Sequence, residues 1–320
     1  MMRTTRRQFL RGSLGAAPIL ALASSLSAQS LRRLSFRLGV ITDEISDDLD
    51  VALDFISNYR LPGCELRDIW GKNIMYLSPQ DLAAALHLVR NYNKKVSDIA
   101  SPIFKYNLPQ MPARKLLPDR QFGAAFSDKD SDSLLLKSFN LARFFGTNKV
   151  RIFSYWRVQD PEKAYPYVRD RLAKAAELAG KNDILLVLEN EMDCNVGTGK
   201  ELGRILRDIN SPHLRGNWDP GNAVMLGEVP YPDGYNYVKG LFAHMHVKDA
   251  RRNPATRRLT WAPVGAGVID WKGQIKAVID SHYDGTMSLE THYRRADGNR
   301  VESSRESLLG LLKIIREEQA

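Results

Sequence analysis

Residues 184–189, Ile-Leu-Leu-Val-Leu-Glu, set five apolar side chains in a row against a carboxylate. A run of that length without polar relief predicts a strand buried on both faces, as in a parallel sheet. A charge ending such a strand is tolerable only where the sheet opens or a metal meets it. Residues 214–219, 242–248 and 286–290 repeat the design, each a short strand offering a metal-capable side chain at its end. Upstream, residues 36–42, 64–67, 96–100 and 149–153 predict four further strands.

Between the strands the period changes to that of helices. Leu49, Leu53 and Ile56 mark one helix, stopped by Pro62-Gly63, and Ser78-Pro79 opens another with an N-cap and a proline at the first position. Residues 131–145, 166–178, 200–209, 271–281 and 301–317 predict the rest, while the Pro-rich stretch 102–118 and the Pro, Gly and Tyr-rich stretch after 219 read as loops. Eight strand–helix units predict a (β/α)8 TIM barrel. A doubly wound sheet fits less well, because no Gly-rich phosphate turn follows the first strand. In a barrel, the charged C-terminal strand ends share one mouth.

The start of the chain departs from this pattern. Residues 5–10, Thr-Arg-Arg-Gln-Phe-Leu, form a twin-arginine pattern, followed by a modest apolar run to Leu26 and small residues near Ala28. The run is shorter than the about 20 residues of a membrane-spanning helix. Residues 1–28 therefore read as a Tat signal peptide, and 29–320 as a single barrel domain exported to the periplasm, with no membrane attachment after cleavage. Four arginines leave with the signal and no acid does, so the formal charge of +9 falls to +5. That mild excess, with no basic stripe interleaved with aromatics, excludes nucleic acid as an expected partner. Two cysteines are too few for a disulfide scaffold; Cys64 reads as a core residue and Cys194 as a free thiol near the mouth.

Glu189, Asp219, His246 and Glu290 close the last four strands. Three carboxylates and one imidazole make a hard, oxygen-rich site suited to one divalent ion, Mn²⁺ first, with Mg²⁺, Co²⁺ or Zn²⁺ as alternatives. Glu191 shares the parity of Glu189. His244 shares that of His246 one pleat deeper and reads as a supporting histidine. Lys248, highest on the same face, is placed to steady an anionic group. Glu65 and Arg67 end the second strand, and Arg151 faces either Glu189 or a substrate. Trp156 and Trp218 offer flat faces to a ligand ring or to the core, and Trp261 and Trp271 flank a loop that could close the mouth.

The motifs Leu188-Glu-Asn, Asn217-Trp-Asp-Pro-Gly-Asn222, His244-Met-His-Val-Lys-Asp249, Pro263-Val-Gly-Ala-Gly-Val-Ile-Asp-Trp271 and Ser288-Leu-Glu-Thr-His292 resemble the sugar phosphate isomerase/epimerase family, of the xylose-isomerase-like TIM barrel superfamily. The resemblance implies that Glu189, Asp219, His246 and Glu290 are metal ligands. It also implies that Glu189 and Glu290 are catalytic, exchanging protons with substrate carbon beside a carbonyl through an ene-diolate. Glu65, Arg151, Trp156, Asn222 and Lys248 are the expected substrate contacts; Asn222 stands where epimerases of the family often carry a histidine. Six histidines, at other places, do not match the three-zinc site of endonuclease IV. The expected activity is isomerisation or epimerisation of a sugar or sugar derivative, with a lyase or hydrolase acting on keto-glycosides, or sugar binding without turnover, as alternatives. Homo-oligomerisation, the sugar and the native metal stay open.

Overall fold

The computed structural model describes residues 34–114 and 126–319; the predicted signal peptide lies outside them, as does the end of the 102–118 loop. From Ser35 onward the chain forms one compact unit. Its strands are β1 (Arg37–Val40), β2 (Gly63–Leu66), β3 (Lys95–Ala100), β4 (Lys149–Ile152), β5 (Leu185–Glu189), β6 (Leu214–Trp218), β7 (Phe242–Val247) and β8 (Thr286–Leu289). They pair in parallel in the order β1-β8-β7-β6-β5-β4-β3-β2. A parallel bridge between Ile41 and Glu65 joins the two ends, so the sheet is a nearly closed barrel. A Cβ on Gly63 would lie 3.1 Å from the Leu38 carbonyl oxygen, so glycine lets β1 and β2 approach at this seam.

The longer helices are α1 (Leu49–Asn58), α2 (Pro79–Asn91), α3 (Ser131–Phe145), α4 (Pro161–Gly180), α5 (Gly199–Ile209), α6 (Pro220–Met225), α7 (Trp271–Asp280) and α8 (Arg300–Gln319), with single turns at Thr42–Ile45 and Tyr235–Val238. The cap predicted at Ser78 is present, and the structure adds two more. Ser78 accepts from the Asp81 N–H at the start of α2, and Thr198 with Glu201 forms a capping box on α5. Gly146, at φ 75°, ends α3 in the left-handed conformation.

Two expectations are corrected. Helix α4 begins at Pro161, not at residue 166: Pro161 occupies the first turn, where no intrahelical N–H is required, and Pro166 is carried inside the helix. The segment after residue 219 holds α6, because the Asp219 side chain accepts from the Asn222 N–H and caps it. Asp219, Lys248 and Glu290 each stand one residue past their strand, where the backbone begins to turn over the mouth.

Candidate active site

Strand alternation sends His244, His246 and Lys248 to the inside of the barrel at increasing height, and places Asn217 and Asp219 beside them on the neighbouring strand. At the mouth, one ligand atom from each of Glu189, Asp219, His246 and Glu290 lies within 4.8 Å of the others, and all four residues are buried. His246 Nδ1 is 3.4 Å from Glu189 Oε1, 3.4 Å from Glu290 Oε2 and 3.7 Å from Asp219 Oδ2. The opposite ring nitrogen, Nε2, is 3.1 Å from Glu65 Oε1. In the neutral ring, a proton on Nε2 shared with Glu65 would free the Nδ1 lone pair for a metal, as in a metal-ligating histidine backed by a carboxylate.

Each catalytic candidate has its own set of partners. Arg151 Nη1 lies 3.3 Å from Glu189 Oε2, and the Asn222 amide donates to Glu189 Oε1 at 3.1 Å. Glu290 receives Arg67 at 2.9 Å and the Lys248 ammonium at 2.6 Å, and Lys248 also reaches Asp219 Oδ2 at 2.9 Å. Burial alone would raise the Glu189 carboxyl, but His246 and Arg151 draw it down to about 2. Burial likewise opposes ionisation of Glu290, and Lys248, His292 and His246 hold it well below the carboxylate range. For His246, burial disfavours the imidazolium, and the charges of Glu65, Glu189 and Glu290 outweigh it, raising the ring well above its ordinary value.

The donor set fits a divalent ion on two counts. Among the described residues nine carboxylates but only three lysines and arginines are buried, and Glu189, Asp219 and Glu290 lie together at the mouth. Glu189 Oε2 and Asp219 Oδ2 are also buried without a hydrogen bond, although each has a cation near it.

Several predicted contacts take different places. Glu65 is fully buried below the mouth and is spent on His244 and His246, each at 3.1 Å, which places it as a support for the histidines. Arg151, 1% exposed, is spent on Glu189. Asn222 is buried against the same carboxylate. Trp156 is 4% exposed, its strand-like bridge running to Cys194, which is itself buried. Trp218 points outward, donating to Gln274 on α7 at 3.0 Å, and Trp271 is buried in the first turn of α7. Cys64 is buried in β2, as expected of a core residue. Glu191 turns away from the cluster to pair with Lys105 at 2.7 Å.

Other residues of the site were not singled out as contacts. Arg67 gathers Asp43, Glu44 and Glu290 at 2.7, 2.6 and 2.9 Å. Trp261, on the hairpin that joins Asp249–Arg252 to Leu259–Ala262, packs 5.0 Å from the His292 ring and 5.4 Å from the Lys248 ammonium. The Asp43-Glu44 pair directly after a strand was the signal for the Arg67 cluster; nothing in the local sequence marks His292 as its neighbour.

Comparison with known proteins agrees with this architecture. The family model for the xylose isomerase-like TIM barrel matches residues 69–314. An inosose dehydratase of Lacticaseibacillus casei is 25% identical over 150 residues, which are 42% of this chain and 50% of that protein; the chain thus spans about half the length of the curated relatives it matches. A xylose isomerase-like TIM barrel protein from Mycobacterium smegmatis, solved in complex with magnesium, superposes with a TM-score of 0.63 at 15% identity, covering 91% of this chain and 99% of the other. The 3-keto-D-glucoside 4-epimerase of E. coli superposes with a TM-score of 0.62 at 13% identity, covering 87% and 99%.

Proposed function

The chain belongs to the xylose isomerase-like TIM barrel family, and from that premise we propose that it is an enzyme of the sugar isomerase and epimerase type, moving a proton at the carbon beside a carbonyl of a sugar or sugar derivative. The observation that carries this is the pair of carboxylates, Glu189 and Glu290, standing 3.4 Å to either side of His246 Nδ1 with separate cationic supports. Simple sugar binding has no use for two opposed, separately anchored bases.

Glu189, Asp219, His246 and Glu290 would hold one divalent ion, Mn²⁺ being the first candidate, and the ion when bound would polarise the carbonyl. The remaining work falls to the chain. One glutamate takes the α-proton, the C–H electron pair moves between the two carbons, and the carbonyl oxygen gains charge. Arg151 with Asn222, and Arg67 with Lys248, keep the two carboxylates apart and aimed. Return of the proton to the other face gives epimerisation, and to the other carbon isomerisation. Expulsion of a β-substituent from the same carbanion gives a dehydratase or lyase, a reading favoured by the likeness to inosose dehydratase.

The test is Glu290→Gln in the metal-loaded protein. Turnover should fall by about 10²–10⁴-fold while part of the metal binding survives, since the amide keeps an oxygen but accepts no proton. NMR of the wild-type product formed in D₂O should show deuterium beside the carbonyl. Absence of both deuterium and a substrate α-deuterium isotope effect would overturn proton abstraction.

Residues 1–28 are further proposed to be a Tat signal delivering the barrel, 29–320, to the periplasm. Lysine at Arg6 and Arg7 should then strand the precursor in the cytoplasm; undiminished export would refute the signal.

A further inference from the structure

At the opposite end of the barrel, a cleft of about 690 Å³ opens among the first residues of the strands. Its walls carry five cations: Arg37 on β1, Lys94 and Lys95 at the start of β3, Arg143 near the end of α3, and Lys149 at the start of β4. No carboxylate lines it. None of the five makes an ion pair with a carboxylate among the described residues. Lys94 donates to the Leu61 carbonyl and Arg143 to Asn140 and Asn182, which satisfies hydrogen bonds without neutralising charge. The nearest acidic influence on Lys149 comes from Asp98, buried inside the barrel, and from Asp284.

Holding like charges together costs free energy, and a concave, partly desolvated wall focuses their field. Burial depresses both Lys94 and Lys149, as expected of ammonium groups given too little counter-charge. Some cations elsewhere pair with carboxylates, as Arg204 does with Glu162 and Arg300 with Asp47; here five stand around one cleft whose lining holds no carboxylate.

We propose that this cleft binds a small multivalent oxyanion, a phosphate-bearing molecule or a polyphosphate, at a site separate from the mouth. Lysines offer compact point charges from two neighbouring strands and Arg37 a planar fork suited to two phosphate oxygens. The concavity favours a small molecule over a flat membrane surface, which would require the cations on a convex face. The ligand is distinct from the sugar and takes no part in the proton transfer.

The probe is inorganic tripolyphosphate, titrated calorimetrically into the full chain without added divalent cations, at about 50 and 150 mM salt. Saturable one-site binding should appear, weaken with salt, and raise the melting temperature in proportion to ligand. Arg37→Gln/Lys149→Gln should weaken it by about tenfold or more, and the single exposed-site variant Lys95→Gln, which leaves the fold unstrained, should weaken it by a smaller factor. Three outcomes overturn the proposal: no saturable binding, equal binding by wild type and both variants, or loss of binding in Asp219→Asn alone, which would place the anion at the mouth. Binding to anionic phosphatidylglycerol vesicles without binding of tripolyphosphate also overturns it, in favour of a membrane contact.

Discussion

The two ends of this barrel handle clustered charge in opposite ways, the one buried and the other half-buried to exposed. At the C-terminal mouth, carboxylates crowd together, and each of those nearest His246 is met by a named cation or amide: Arg151 and Asn222 at Glu189, Arg67 and Lys248 at Glu290. At the N-terminal end, Arg37, Lys95 and Lys149 face one cleft with no carboxylate in its lining. The first end balances its charges through an internal network, and the second leaves its cations to solvent or a ligand. A network of that kind orients groups to a fraction of an ångström, as chemistry requires; an unpaired cluster attracts without orienting.

The sharpest way to break the comparison is Arg151→Met. The substitution keeps much of the side-chain volume but leaves the buried Glu189 without its arginine, and should cost about 3–5 kcal/mol in urea unfolding. A cost near zero would mean that the mouth does not depend on its internal pairing. Glu65→Gln comes next. It removes the carboxylate behind His246 without touching a proposed ligand, and metal affinity should fall by about 10–100-fold, read by competition with a chromophoric chelator. Unchanged affinity would reduce Glu65 to packing.

The smallest effect belongs to the other end. The Lys149 ammonium is depressed by burial, so its folded value lies below the unfolded one of 10.5. The unfolded chain therefore holds that proton more firmly. Stability should rise with pH through the window just below 10.5, and the penalty is fully present at neutral pH. Lys149→Gln should accordingly raise the melting temperature at pH 7 by about 1 °C, with the gain shrinking above pH 10.5. A loss of stability at pH 7 would show that Lys149 already has its counter-charge.

Periodicity alone carries far in this chain. The unbroken apolar run 184–188 ending in a charge calls for a strand buried on both faces, and eight strand–helix units have few closed arrangements. The identities of Glu189, Asp219, His246 and Glu290 as a single cluster follow from that reasoning, because consecutive parallel strands bring their ends to one height. Parity also placed His244 below His246, as the fold has it. Parity could not separate Glu189 from Glu191, since both satisfy it; only the turn after β5, which carries Glu191 to Lys105, does so.

The tertiary structure decided everything that crosses the barrel. Glu65 ended a strand as plausibly as Glu189, yet the stagger of β2 against β7 sets it beneath the histidines, 179 residues away in sequence from His244. Arg67 joins Glu290 across 223 residues at the β1–β2 seam, and Lys149 meets Arg37 at the far rim. Strand period specifies which face a side chain takes and roughly how high it stands. The partner across the interior depends on shear and closure, which belong to the whole sheet and are written in no single strand.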